Sequence, residues 1–221
     1  MCGRFTLTLE IPALQQELGI TAGPEDWLPR YNIAPSQAAP VVLDGEARKI
    51  EMLRWGLIPF WAKDASIGNK LINARAETIA EKPSFRSAFE QRRCLIIADG
   101  FYEWKKQARG PAIPHYYFRQ GEKPFAFAGL WENWVDPNKE KVRSCTIITC
   151  EANELVRAVH PRMPVMLTGD DLWRWLRGDS KSELMKLLVP YDGNDMKVRQ
   201  VSTLVNRADS EGPALIAAVG G

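Results

Sequence analysis

No apolar stretch of this chain runs for long before a turn residue breaks it. Fifteen prolines and 16 glycines are scattered through 221 residues, and none of the hydrophobic runs approaches the ~20 residues needed to span a bilayer. The clearest run, Cys94-Leu95-Ile96-Ile97-Ala98, is continuous and reads as a buried strand, closed by Asp99-Gly100. Residues 2–8 alternate like a short strand. Val41–Leu43 and Ile50–Trp55 read as a hairpin with Asp44-Gly45 in the turn, and Tyr116–Arg119, Phe125–Trp131, Cys145–Cys150 and Val198–Val201 add further strands. Helical spacing is confined to short segments. Ile11, Leu14 and Leu18 form a stripe between Pro12 and Gly19, residues 71–78 lead into a helix ending near Pro83, and Ser84–Gln91 forms another. Ala152–Val159, Asp170–Arg177 and a helix opened by the Ser180/Glu183 capping box complete the set, and residues 20–40 read as loop. No repeat and no Pro/Ser linker divides the chain. The expectation is α+β: a single domain over residues 1–221, with a curved, barrel-like, mostly antiparallel sheet and several short helices.

Composition narrows the function classes. Hydrophobic residues at 45% and charged residues at 25% are those of an ordinary soluble globular protein. A net charge of +2 is too small to imply nucleic-acid binding without a local basic face, while eight tryptophans suggest stacking surfaces as well as core. The cysteines (Cys2, Cys94, Cys145, Cys150) form no C-x-x-C pair and only two histidines could join them, so no metal and no cofactor are expected. No basic region precedes a hydrophobic run at the start, so the expected setting is cytoplasmic and reducing, with no membrane partner.

The start carries the chemistry. Cys2 is small, and a small second residue favours removal of Met1. The new terminus would hold an α-amine, titrating near pH ~8, and a thiol, titrating near ~8.5, on adjacent carbons, so both are partly deprotonated close to neutrality. Such an amine condenses with an aldehyde to an imine, and the thiol closes a five-membered ring on it at little entropic cost. Gly3 permits close backbone approach, and Arg4 offers a phosphate clamp. Set against this, a chain can begin Met-Cys by chance.

Three later features could serve such a terminus. Arg54-Trp55-Gly56-Leu57-Ile58-Pro59-Phe60-Trp61 is an aromatic loop, able to stack on bases or to form a packing corner. Glu103, among aromatics just after a buried strand, is either a solvated tip or a desolvated acid with a raised pKa. His160 is delivered at the end of a helix and fixed by Pro161, in either a structural or a catalytic role.

In order and spacing, Cys2-Gly3-Arg4-Phe5, Tyr31-Asn32-Ile33-Ala34-Pro35, Trp55-Gly56 to Trp61, Asn73-Ala74-Arg75-Ala76-Glu77-Thr78, Ala98 to Trp104, Thr146-Ile147-Ile148-Thr149, His160-Pro161-Arg162-Met163-Pro164 and Val205-Asn206 resemble the SRAP family of abasic-site processing proteins. The resemblance covers nearly the whole chain. It implies binding of single-stranded DNA and covalent capture of an abasic site by Cys2 as a thiazolidine. On the same basis Glu103 is the acid, held among Tyr102 and Trp104, and His160 assists proton transfer and crosslink reversal. Asn73 orients Cys2, Arg4, Arg75 and Arg162 hold phosphates, and Phe60 and Trp61 form an aromatic wedge. The family name also allows a peptidase action on the Met1–Cys2 bond. A monomer working at the nucleoid is implied, and the C-terminal tail of larger eukaryotic members has no counterpart before Gly221.

Two other readings stand beside it. Glutamine amidotransferases also begin Met-Cys-Gly, with the thiol attacking an amide, although they usually carry a further synthase domain. A non-catalytic single-stranded DNA-binding module would use the Arg and Trp residues and leave Cys2 idle.

Overall fold

The run Cys94–Ala98 lies in the wall of a closed barrel. The computed structural model describes residues 2–45 and 47–219. Its strands are β1 (Phe5–Leu7), β2 (Arg30–Ile33), β3 (Ala38–Leu43), β4 (Ile50–Trp55), β5 (Asn73–Arg75), β6 (Arg93–Ala98), β7 (Gly100–Lys105), β8 (Ile113–Arg119), β9 (Phe125–Val135), β10 (Lys141–Glu151), β11 (Arg162–Pro164), β12 (Met166–Leu167) and β13 (Met196–Gln200). The helices are α1 (Ile11–Leu18), α2 (Arg86–Gln91), α3 (Glu154–Arg157), α4 (Asp170–Arg177) and α5 (Lys181–Lys186). Among the described residues no helix is long and apolar enough to cross a membrane.

Strands β4, β3, β6, β9 and β10 pair in that order, and β9 pairs β10 from Gly129↔Ile147 to Val135↔Lys141, which closes the ring. Closure removes the open edges that a flat sheet would present to another chain. The closing strand β10 runs parallel to β4 and also to β5, while the remaining pairs are antiparallel, so this barrel is mixed. A second sheet, in the order β13-β8-β7-β1-β2, is antiparallel throughout. The expected single α+β domain with a barrel-like sheet is therefore what forms.

Phe5 of β1 joins the two sheets. It is fully buried, edge-on to Trp55 at 5.1 Å and to Phe127 of the barrel at 5.6 Å. Burying a ring of this size contributes on the order of 1.5–3 kcal/mol, and here it fixes the chain three residues from Cys2. Asp99 adds a polar lock. Its buried carboxylate accepts hydrogen bonds from the hydroxyls of Thr6 and Thr8 and from the Thr8 N–H. Arg93 ties helix to barrel by donating to the carbonyls of Trp175 (2.8 Å) and Gly178 (2.6 Å), which the end of α4 leaves without helical partners.

Several local expectations need correction. Residues 20–40 are not all loop, because Arg30–Ile33 pairs with β1 and Ala38 opens β3. Asn73–Arg75 is a strand, and only Ala76–Thr78 turns, as a 3-10 helix. Pairing with Ile147–Thr149 of β10 outweighs the helix propensity of an Ala-Arg-Ala-Glu run, which is worth only tenths of a kcal/mol per residue. Strands β9 and β10 each run to 11 residues, well past the apolar stretches that marked them. The helix before His160 is confined to Glu154–Arg157.

Candidate active site and nucleic-acid groove

Cys2 sits fully buried where β1 enters between β7 and β2. Its carbonyl accepts a 2.9 Å hydrogen bond from Asn73 Nδ2, and its Sγ lies 3.8 Å from the Arg4 carbonyl. Asn73 reaches it because β5 is held in parallel register on β10, with Ile147 opposite Asn73. Burial pushes the Cys2 thiol far above its ordinary range, and the nearby Glu103 carboxyl pushes it the same way. In the chain that still carries Met1 the buried thiol is therefore held in its protonated form at neutral pH. The expectation of a partly ionised thiol concerned the terminus freed of Met1, a different state from this one. The expected loss of Met1 concerns a residue outside the described ones.

Glu103 is 3% exposed, and burial raises its carboxyl to about 7. The choice left open by the sequence resolves toward the desolvated acid. Its surroundings differ from the expected aromatic pair, however. Strand alternation puts Tyr102 and Trp104 on the other face of β7, packed with Tyr116, Val205 and Leu215. Glu103 shares its face with Phe101, which stacks on Tyr117 at 5.1 Å. Burial and then the Glu103 charge raise the Tyr117 hydroxyl. Tyr117 is a neighbour of the acid that sequence reasoning missed, and its only sequence signal was its place in the strand that follows Glu103.

His160 lies two residues from Arg162, whose main chain holds the ring: Nδ1 is 3.0 Å from the Arg162 carbonyl and 3.1 Å from its N–H. Burial lowers its pKa, assisted by the charges of Lys106 and Arg162, so the imidazole is neutral at pH 7. Among the described residues no group of three or more His, Cys, Asp or Glu could hold a metal.

Three pockets in series pass this site. The first, about 360 Å³, is lined by Asn73, Arg75, Lys70 and Lys82. Arg75 also lines the second, about 510 Å³, with Arg157, Arg162 and Glu151. Pro161 links that one to a third, about 310 Å³, lined by His160, Trp104, Lys105 and Lys106. The local basic face missing from the net charge is this groove. Lys70, Lys82 and Arg157 carried no sequence signal because they converge only in the fold, and Lys105 and Lys106, although close behind Glu103 in the chain, were not singled out either.

The expected arginines differ in use. Arg75 is exposed. Arg4 is committed to the protein, donating to Asn32 Oδ1 (2.8 Å) and to the carbonyls of Val205 (2.7 Å) and Asn206 (3.3 Å), so it ties β1 to the C-terminal segment. Arg162 is held by Glu77 and Thr149. Phe60 and Trp61 are 60% and 47% exposed. Their loop is braced below by Ile58 N–H on Ser144 Oγ (2.8 Å) and by Trp134 Nε1 on the Ala62 carbonyl (2.7 Å).

A mixed five-stranded barrel beside an antiparallel sheet, with a cysteine buried next to an acid at its N-terminal end, defines the class. The chain belongs to the SOS response associated peptidase (SRAP) family, whose family model matches residues 1–208. It is 46% identical over 221 residues to the abasic site processing protein YoqW of Bacillus subtilis strain 168, covering 98% of this chain and 99% of that one. It is 31% identical to the abasic site processing protein HMCES of Xenopus tropicalis, covering 88% of this chain and 68% of the relative. A crystal structure of a Bacteroides thetaiotaomicron protein superposes with a TM-score of 0.88 at 25% identity, covering 99% of this chain and all of that one.

Proposed function

We propose that the protein recognises abasic sites in single-stranded DNA and captures them covalently through Cys2 once Met1 is gone. The observation that carries this is Asn73. One amide side chain both holds the Cys2 carbonyl and lines the basic groove, so a strand lying in the groove passes the N-terminal residue. The relatives' names supply the lesion, and the ring-opened form of its sugar exposes an aldehyde.

The steps balance as follows. The Cys2 amine adds to the aldehyde carbon, Glu103 protonates the departing oxygen, and one water leaves as the C=N bond forms. The nitrogen keeps its second proton, so this intermediate is the iminium. The thiol sulfur then bonds to its carbon, the C=N electron pair moves onto nitrogen, and the thiol proton passes to the Glu103 carboxylate. This yields the thiazolidine and returns Glu103 to its starting form. Neutral His160, at the end of the groove, relays protons in the reverse direction when the DNA is released. Removal of Met1 by the same Cys2 and Glu103 belongs to this reading as an autoproteolytic step. Phosphates run along Arg75, Arg162 and their lysine neighbours, with Arg4 as the brace beneath, and Phe60 and Trp61 stack on bases flanking the lesion. Residues 1–221 act as one unit, as a cytoplasmic monomer recruited to the nucleoid by damage, without cofactor.

A denaturing gel tests it. An abasic oligonucleotide should give a shifted band with the native chain and none with Cys2→Ala, while an undamaged oligonucleotide gives none with either. A native chain that binds DNA reversibly but leaves no band after denaturation would overturn covalent capture. Ammonia release from glutamine would point to an amidohydrolase instead.

A further inference from the structure

Arg162 lines the central pocket of the groove, yet its guanidinium already holds an anion. Nη1 and Nη2 donate to the two oxygens of Glu77 at 2.9 and 3.0 Å. Nη2 also donates to the Thr149 carbonyl at 2.6 Å, and Nε lies 3.4 Å from Thr149 Oγ1. A guanidinium has five N–H donors, and these contacts leave one, on Nη1. The paired oxygens of Glu77 meet the fork as a phosphate would. Arg75, two residues before Glu77, lines the same pocket and adds to the field that keeps this carboxylate ionised.

The two partners are not equally free to move. Arg162 is 17% exposed and pinned by Thr149, whereas Glu77 is 50% exposed and sits on a single 3-10 turn. A DNA phosphate arriving at Arg162 therefore finds the arginine in place and the carboxylate able to swing into solvent.

We propose that Glu77 is a specificity-determining residue: an internal stand-in for phosphate that any DNA backbone must displace from Arg162 before it is held. The inference rests on the reading of the groove as a DNA track. The displacement weakens binding of every strand equally. Undamaged DNA has nothing to offset that loss and dissociates, whereas an abasic strand is retained by its bond to Cys2. Glu77 thereby keeps the groove from being occupied by intact single strands.

The test measures binding of a fluorescent, undamaged single-stranded oligonucleotide by anisotropy across a salt series, for the native chain, Glu77→Gln and Glu77→Ala, each also combined with Arg162→Ala. Thermal melts confirm folding. Either Glu77 variant should bind about fivefold more tightly, the range of one partly exposed ion pair. Its plot of log affinity against log salt should be steeper by up to about 0.7, because in the native chain the carboxylate freed from Arg162 takes up a cation that offsets the one released by that phosphate. Both gains should disappear in the Arg162→Ala background. Undamaged competitor should also slow crosslinking of abasic DNA more strongly in Glu77→Gln than in the native chain. Unchanged or weaker binding by a folded Glu77→Gln protein, or a gain that persists without Arg162, overturns the inference. If the native chain fails to bind single strands at all, the groove reading itself falls first.

Discussion

At the residue scale the proposed capture turns on two groups with opposed needs. The Cys2 amine must be free and titrates near pH ~8, while Glu103 must be protonated and is held at about 7. The crosslinking rate should therefore be bell-shaped. It rises as the amine loses its proton and falls as Glu103 loses its own above about 7. Glu103→Gln should crosslink at least tenfold more slowly with DNA binding retained, and its profile should keep only the rising limb. A single-turnover pH series checks this, and a native-like alkaline fall in the variant would remove Glu103 from the acid role. Stability follows the same carboxyl. The folded state binds its proton more tightly than the unfolded chain does, so stability falls as pH rises from the ordinary glutamate range through about 7. Glu103→Gln should be more stable than native at pH 8, by up to about 3 kcal/mol, and no more stable at pH 4, as read from urea melts.

Much of this was legible in the residues themselves. Cys2 was legible as an aminothiol weighed against a chance Met-Cys start, and Glu103 as either a solvated tip or a desolvated acid. What could not be read was environment. A sequence does not show that Cys2 is wholly buried, and Glu103 looked wrapped by Tyr102 and Trp104 because adjacency in sequence is opposition in a strand.

At the element scale, the Phe60–Trp61 loop depends on a glycine contact below it. Gly56 has φ +123°, and a Cβ there would lie 2.7 Å from the Gly68 carbonyl oxygen. Gly56→Ala combines a strained backbone with a clash against main chain, so it should destabilise by about 1–3 kcal/mol and weaken DNA binding by shifting the loop. Phe60→Ala and Trp61→Ala act at the exposed tip. Each should leave the melting temperature nearly unchanged while lowering single-strand affinity by the ~1–3 kcal/mol of a lost base stack. Comparing melting curves with binding isotherms separates the two kinds of variant. Loss of stability without loss of affinity in Phe60→Ala would make the loop a packing corner. The strands with continuous apolar runs were legible at this scale. Asn73–Arg75 was not, because its partner on β10 is remote in sequence and only that pairing makes it a strand.

At the scale of the whole molecule, barrel closure by β9 and β10 is what lets a modest chain build one site from its first residues, its middle and its last third. Arg4 illustrates the span, bridging β1 to the Val205 and Asn206 carbonyls. The α+β, barrel-like class followed from short strands and turn punctuation. The mixed pairing of β10 and the basic groove did not, since neither leaves a local pattern in the chain. Net charge concealed the groove, because the lysines and arginines that form it are balanced by acids elsewhere.

Intact mass spectrometry of the protein before and after incubation with an abasic oligonucleotide probes covalent capture most directly. The expected result is a chain lacking Met1 that gains the mass of the oligonucleotide less one water, with the increment absent from Cys2→Ala. An active preparation that retains Met1, or a Cys2→Ala protein that gains the same mass, would contradict capture by the N-terminal aminothiol.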